Sequence, residues 1–129
     1  MPSRTLLLVD ANEDSRLIYA AALRHHGLSV VAHECSASAV DLARTHQPRV
    51  IVLGLSYASG PGWGALRALK EDPVTASIPI VAVSTTGLVE HRERAMAMGC
   101  AAFLVKPLPP LELLAVAREI MQAGHAAVA

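Results

Sequence analysis

Three side chains that could take part in ionic or proton-transfer chemistry stand where strand-like apolar runs of this chain end. Asp10 supplies a carboxylate, Ser84 a hydroxyl and Lys106 an ammonium group. A fourth apolar run ends near Gly54, which has no functional side chain. A glycine weakens a strand and often marks a close approach to its backbone. If these four positions meet, they form a pocket with one anion, one cation and one corner without a side chain.

The elements that must position these residues follow from the hydrophobic pattern. Apolar runs without polar alternation predict strands buried on both faces, at residues 5–9, 28–32, 50–53, 80–84 and 102–105. A helical pattern follows each run. This alternation predicts an α/β fold with a doubly wound, five-stranded parallel sheet. Right-handed crossovers place the carboxyl ends of the strands at one edge, where ligands bind in such folds.

The connections and helices contain weaker signals. Asn12 is a predicted N-cap of the first helix. Its apolar pattern at helical spacing consists of Leu17, Ile18, Ala21, Ala22 and Leu23. A short helix is predicted over residues 63–70. The sequence Gly-Pro-Gly-Trp-Gly at residues 60–64 is interpreted as a plain mobile loop rather than a phosphate cradle, because the proline has no N–H to offer a phosphate. The last helix is predicted to end at about Gln122.

Composition limits the possible classes of function. The 129 residues fit one domain, predicted to span 1–124 with a tail at 125–129. Eleven basic and eleven acidic side chains cancel, which argues against a nucleic-acid or membrane-surface binder. No apolar run reaches the length of a membrane span. Two cysteines, with a start that does not resemble a secretory signal, lead us to expect a cytoplasmic location.

Four stretches and a glycine, in this order and spacing, resemble the receiver domain of two-component response regulators over nearly the whole chain. They are Leu8-Val9-Asp10, Val52-Leu53-Gly54-Leu55, Gly62, residues 79–84 and residues 99–107. The resemblance implies the flavodoxin-like (βα)5 receiver fold with strand order 2-1-3-4-5. In that order Cys35 and Cys100 adjoin strands at opposite edges, so we expect two free thiols.

The chain departs from the family pattern at the positions that carry its chemistry. Gly54 stands where the resemblance places the phosphorylated aspartate, so no catalytic residue is expected. Ala11 stands at the second acid after the first strand, which is a metal ligand in the family. Ala58 replaces the usual loop proline, and Pro61 replaces the usual aspartate before the loop glycine. These departures predict an atypical member that lacks the phospho-acceptor.

The remnant pocket consists of Asp10, Ala11, Gly54, Ser84 and Lys106. Mg²⁺ prefers oxygen ligands that include carboxylates, but Asp10 is here balanced by Lys106, so we do not expect Mg²⁺ to bind functionally. Asp10 and Glu13 are the only weak candidate ligands; Glu13 is otherwise a first-turn acid that the helix dipole favours. A partly buried lysine needs an acceptor. We therefore predict a direct or water-bridged Asp10–Lys106 pair, with a bound anion or a catalytic lysine as the alternatives.

Ser84 and Phe103 match the pair of residues that switch conformation in the family. Without a phosphoryl group there is no differential interaction to move them. The competing interpretation is that the Ser84 hydroxyl bonds to local backbone and that the Phe103 ring packs in the interior.

The resemblance places partner contacts on the face made by the fourth helix, the fifth strand and the fifth helix. We expect a protein partner, or a homodimer, at this face. The predicted contact residues are His91, Arg92, Arg94, Phe103, Leu114 and Met121, of which the last two are spare apolar residues of the last helix. A solvated charged surface is the simpler interpretation. Trp63 is either an exposed anchor for a partner or a packing residue at the start of a helix.

Three functions remain open. The first is a non-enzymatic, phosphorylation-independent receiver-like module that docks to a protein in bacterial-type two-component or phosphorelay signalling. The alternative is a ligand or ion sensor that uses the pocket vacated at Gly54 and Ala11. The third is a phosphorylatable receiver in which Glu13 or a hydroxyl replaces the acceptor.

Overall fold

The computed structural model describes residues 5–56 and 60–128, with side chains described through Ala123. Its five parallel strands form one sheet in the order β2-β1-β3-β4-β5, which confirms the predicted fold. The strands are β1 Thr5–Val9, β2 Ser29–His33, β3 Val50–Leu55, β4 Ile80–Ser84 and β5 Ala102–Val105. The helices are α1 Glu13–His25, α2 Ala39–His46, α3 Pro61–Glu71, α4 Val89–Ala97 and α5 Pro110–Val128. A short 3₁₀ turn, Ser36–Ser38, precedes α2.

Both faces of the sheet are buried, because successive residues of each strand point to opposite faces. Leu6 and Leu8 of β1 pack against α1 and α5, whereas Leu7 and Val9 pack against α2, α3 and α4. Continuous apolar runs, rather than alternating ones, are the pattern that such a sheet requires.

Helix α1 buries Leu23 of its predicted apolar pattern but not the first two residues of that pattern. Leu17 and Ile18 are 59% and 55% exposed, whereas Tyr19 is buried. The Tyr19 hydroxyl donates to the carbonyl of Leu108, at 3.1 Å, and so connects α1 to the segment before α5. Apolar residues lie on several sides of α1, so periodicity alone does not select the buried side.

Strand β3 is longer than predicted. Gly54 and Leu55 continue its pairing, opposite Val83 and Ser84 of β4. The glycine therefore lies within the strand rather than at the beginning of the loop.

The helix predicted over residues 63–70 begins two residues earlier, at Pro61, so the interpretation of residues 60–64 as a plain loop is wrong. Proline is favourable in the first turn, where its missing N–H would have no helical acceptor. Gly60 precedes the helix with a φ of 144°, which side-chain-bearing residues rarely adopt. Ala58, which was compared with the loop proline of the family, lies outside the described residues.

Helix α5 is 19 residues long and continues to Val128 instead of ending near Gln122. Alanine, frequent in its last turns, is the strongest helix former. Leu114 and Met121 are buried against α1 residues, so the prediction that they are spare surface residues is wrong. Among the helices of the described chain, none combines the length and the apolarity that crossing a membrane would demand.

Candidate functional site

The sheet brings the four strand-end positions to one edge. The backbone N–H of Asp10 donates to the carbonyl of His33 at the end of β2, at 3.1 Å. The N–H of Lys106 donates to the carbonyl of Ser84 at the end of β4, at 2.9 Å. Gly54 lies near the end of β3, the strand between β1 and β4.

Lys106 and Asp10 form the direct pair that the sequence predicts. The Lys106 Nζ donates to the Asp10 Oδ2 at 2.9 Å, and the two side chains are only 18% and 7% exposed. The other carboxylate oxygen accepts from the backbone N–H of Asn12 at 2.9 Å. Arg16 donates to the Asp10 carbonyl, also at 2.9 Å. A carboxylate removed from water requires such partners.

Asn12 has a second role as the predicted cap of α1. Its side-chain oxygen accepts from the backbone N–H of Ser15 at 2.8 Å. The turn that orients Asp10 is thereby continuous with the start of α1. Glu13, the weak candidate metal ligand, is an exposed acid in the first turn of this helix.

The Asp10 carboxylate lies directly beside Gly54. A Cβ placed on Gly54 would lie 3.2 Å from the Asp10 Cγ and 3.3 Å from its Oδ1. These distances are tighter than ordinary van der Waals contacts, so Asp10 would have to shift to admit a side chain there. The corner without a side chain is therefore bordered by the carboxylate that binds Lys106.

The contacts of Ser84 and Phe103 agree with the interpretation of local bonding and interior packing. The buried Ser84 Oγ accepts from the backbone N–H of Thr86 at 3.0 Å, which is the expected local bond. Phe103 is buried in the core on the side of α2, α3 and α4. The Thr86 hydroxyl in turn lies 2.5 Å from the His91 Nδ1 and connects this loop to α4.

Trp63 is a packing residue that contacts α4, rather than an exposed anchor. It is buried in the first turn of α3. The Arg94 guanidinium lies 4.2 Å from the centroid of its ring, a cation–π geometry. The His91 ring approaches it edge-on, with centroids 6.2 Å apart. No pattern in the sequence indicates this contact, because α3 and α4 are separated by a strand and two connections.

The predicted interaction face is narrower in the structure. Phe103, Leu114 and Met121 are buried, so they do not form part of an exposed surface. Arg92 is exposed on α4, and Arg94 is exposed but stacked on Trp63. Of the predicted contact residues, the exposed ones therefore lie on α4.

The two cysteines and Tyr19 lie outside the remnant pocket, and Cys100 and Tyr19 take part in packing. Cys35 is exposed and Cys100 is buried, and both are free thiols, as expected. Burial raises the pKa of Cys100 to about 11, against a smaller lowering by Lys70. Burial, and then the charge of Asp10, raise the pKa of Tyr19. Within residues 5–56 and 60–128, no three His, Cys, Asp or Glu side chains are grouped to hold a metal ion.

Comparison with known proteins identifies the family. The model of the response regulator receiver domain matches residues 6–118. The chain is 26% identical over 106 residues to the polar-differentiation response regulator DivK of Brucella ovis, which covers 82% of this chain and 86% of DivK.

Solved structures agree on the fold. A response regulator from Desulfuromonas acetoxidans superposes with a TM-score of 0.81 and 24% identity, covering 92% of this chain and 97% of that one. The chemotaxis protein CheY4 of Vibrio cholerae superposes with a TM-score of 0.83 and 22% identity, covering 92% and 99%. With its strand order, its Asp10–Lys106 edge and a family match over residues 6–118, this chain belongs to the response regulator receiver domain family.

Proposed function

We propose that this chain is a phosphorylation-independent receiver module that acts by docking to a protein partner in two-component signalling. The observation that carries the proposal is the 2.9 Å pair between Lys106 and Asp10, beside a β3 position that has no carboxylate, Gly54. The lysine already has a protein anion, and the strand end offers no nucleophile.

The chemistry of aspartyl phosphorylation supports this view. The reaction requires a carboxylate nucleophile, and a divalent cation neutralises the charge that develops on the phosphoryl group. Gly54 supplies no nucleophile, and Ala11 supplies no second acid beside Asp10. One carboxylate that already binds an ammonium group is a poor ligand set for Mg²⁺, which is usually held by one or two carboxylates together with phosphate. The residues present do not fit a functional Mg²⁺ site.

The ion pair between Lys106 and Asp10 also favours a single conformation of the pocket. A ligand shifts a conformational equilibrium only through a difference in its affinity for the two states. Ser84 already bonds to Thr86, and Phe103 is already buried. With no phosphoryl group to attract the Ser84 hydroxyl, the docking surface would be present constantly.

The two alternative functions receive less support. A sensor needs space at the strand ends, but the Asp10 carboxylate borders the Gly54 corner and is bonded to Lys106. A hydroxyl acceptor needs access to solvent and a base, but the Ser84 side chain is buried and its Oγ accepts a backbone N–H.

Trp63, the only tryptophan, allows the proposal to be tested by fluorescence. Beryllofluoride with Mg²⁺, a mimic of the phosphoryl group, should leave the emission of the wild-type chain unchanged. The double variant Ala11→Asp with Gly54→Asp should bind Mg²⁺ and gain a saturable response. A saturable, Mg²⁺-dependent change in the wild-type chain would overturn the proposal.

A pull-down tests the docking part of the proposal separately. Arg92→Glu reverses an exposed charge on α4, and Arg67→Glu reverses an exposed charge on α3 as a matched control. Only the first variant should lose the bound partner, and the loss should not depend on Mg²⁺ or acetyl phosphate. Equal retention of the partner by both variants would remove α4 as the docking element.

A further inference from the structure

His91, in the first turn of α4, contacts two neighbouring elements. Its Nδ1 lies within hydrogen-bond distance of the Thr86 hydroxyl, in the loop between β4 and α4. Its ring packs edge-on with the ring of Trp63, in the first turn of α3. The imidazole is half-buried, so protons of the solvent can still reach it. A titratable group therefore lies where α3, α4 and the loop meet.

Contacts on both sides of His91 connect it to the remnant pocket. The backbone N–H of Thr86 donates to the Oγ of Ser84 at the end of β4. Trp63 follows Gly62, where a Cβ would collide with the carbonyl oxygen of Gly54. The helix that carries the proposed docking surface is thus joined through His91 to both elements that border the pocket.

The charges near His91 determine how α4 responds when the imidazole gains a proton. Arg94 lies three positions further along α4, on the same side of the helix, and stacks on the same Trp63 ring. Glu90 is exposed and adjacent to His91 in sequence, so it does not face the imidazole. The loop at residues 85–88 has no charged side chain. The other charged residues of the two helices are exposed or bonded elsewhere; they are Arg92 and Glu93 on α4, and Arg67, Lys70 and Glu71 on α3.

The position of His91 within the helix also opposes a positive charge. His91 is the third residue of α4, which begins at Val89. The first turn of a helix has a partial positive charge and disfavours a cation. A proton on His91 is therefore opposed by the helix end and by Arg94 only while the imidazole keeps its place beside Trp63.

The two contacts of His91 differ in their response to a proton. A hydroxyl can donate to the neutral imidazole or accept from the protonated one, so the bond to Thr86 is possible in both forms. The contact with Trp63 has no such compensation, because it brings the new charge next to Arg94. The proton therefore discriminates between two positions of α4, and such a difference in affinity is what shifts a conformational equilibrium.

We propose that His91 is a proton-operated switch of α4, in which the neutral imidazole holds the helix against Trp63 and the protonated one separates from it while keeping its bond to Thr86. This rests on the proposed function and names a regulation of its docking surface, which a phosphoryl group cannot provide. Imidazole gains its charge between pH 8 and pH 5, within the range of cellular conditions. The two proposals can fail separately, because the response to protons is measured without a phosphoryl donor or a partner.

The emission of Trp63 reports the state of the switch. Between pH 8 and pH 5 the wild-type emission should change in one sigmoidal transition. His91→Asn keeps an acceptor for the Thr86 hydroxyl but has no titratable ring, so its emission should stay constant over this range. His46→Asn, which removes an exposed histidine at the end of α2, is the matched control and should keep the transition.

Arg94→Met tests the electrostatic cause, because a merely structural role of His91 would not move the transition. Without the guanidinium, the proton meets less opposition, and the midpoint of the transition should move about 0.3 pH unit higher. Arg92→Met removes a cation that is adjacent to His91 in sequence but does not face it. That variant should leave the midpoint where it is in the wild-type chain.

Hydrogen exchange tests whether α4 itself responds. Protection factors, which correct for the intrinsic pH dependence of exchange, should fall about fivefold in α4 of the wild-type chain from pH 8 to pH 5.5. The same residues of His91→Asn should keep their protection. Circular dichroism of each variant at both pH values verifies that the rest of the fold is retained.

Three results would overturn the inference. A wild-type emission that does not change between pH 8 and pH 5 would mean that no switch operates. A transition that persists in His91→Asn would assign the proton to one of the other five histidines. An emission change without any loss of protection in α4 would mean that the proton alters only the surroundings of the ring and does not move the helix.

Discussion

Gly62 in the first turn of α3 packs directly on Gly54 of β3. A Cβ placed on Gly62 would lie 2.5 Å from the Gly54 carbonyl oxygen, closer than real Cβ atoms approach backbone. The glycine is therefore required by the close approach of the helix to the strand. The start of α3, and with it Trp63, is seated on the strand position that lacks a side chain.

Gly62→Ala should destabilise the fold by about 2 kcal/mol, because α3 or β3 must shift to relieve the clash. Gly64→Ala is the matched control on the same helix, where a Cβ would meet nothing within 4 Å. That variant should gain about 0.5 kcal/mol from the better helix propensity of alanine. Urea unfolding measures both changes. If Gly62→Ala is as stable as Gly64→Ala, the close approach is wrong.

The Asp10–Lys106 pair predicts an asymmetric mutational effect. Lys106→Met leaves a buried carboxylate without its cation and should cost about 2 kcal/mol of unfolding free energy. Adding Asp10→Asn removes the unpaired charge while keeping an acceptor for the Asn12 N–H, so the double variant should recover about 1 kcal/mol. Chemical denaturation of the two variants provides the comparison. A double variant less stable than Lys106→Met would show that the unpaired Asp10 carboxylate is not the cause of the destabilisation.

Some features of the fold and the candidate site can be predicted from the sequence, and others cannot. The buried strands and the Asp10–Lys106 pair follow from residue types at strand ends, because parallel pairing brings those ends together. The loop predicted at residues 60–64 is wrong because the composition of Gly-Pro-Gly-Trp-Gly favours a turn, whereas the packing of Gly62 on Gly54 favours a helix. A tertiary contact determines whether this segment is a loop or a helix. The local sequence pattern carries no information about that contact.

The exposed and buried faces of the helices were also decided by packing. Leu17 and Ile18 are apolar but exposed, because Tyr19 occupies the side of α1 that faces the sheet and bonds to Leu108. The contact between Trp63 and α4 joins residues about thirty positions apart with no repeating spacing. Neither feature has a signal in hydrophobic periodicity.

The Trp63–Arg94 stack should be visible by fluorescence. Arg94→Met removes the cation above the ring and should shift the Trp63 emission and cost about 0.5 kcal/mol. Arg92→Met, on the opposite side of the same helix, should leave the emission unchanged. Emission spectra and thermal unfolding of both variants make the comparison. Identical spectra for the two variants would be incompatible with the stack.

The buried thiol of Cys100 makes stability depend on alkaline pH. Its pKa is raised from 9.0 to about 11, so the unfolded chain releases this proton first as the pH rises. The stabilising contribution is complete below pH 9 and is lost as the pH rises towards 11. Relative to Cys100→Ala, the wild-type chain should lose about 2 kcal/mol across this window.

Lys70, whose pKa is lowered by burial and raised to a smaller extent by the charge of Cys100, acts in the opposite direction in the alkaline range. The difference between the two chains therefore measures Cys100 together with its electrostatic coupling to Lys70. Urea unfolding between pH 8 and pH 11 measures the difference. Parallel stability profiles for the two chains would mean that the Cys100 thiol is ionised as readily in the fold as in water.

The central claim is that this receiver domain works without accepting a phosphoryl group, and intact-mass spectrometry tests it most directly. The wild-type chain is incubated with acetyl phosphate and Mg²⁺ alongside the double variant Ala11→Asp with Gly54→Asp. The predicted result is an unmodified wild-type mass, while the double variant gains a labile phosphoryl adduct. A saturable, Mg²⁺-dependent phosphoryl adduct on the wild-type chain would contradict the account.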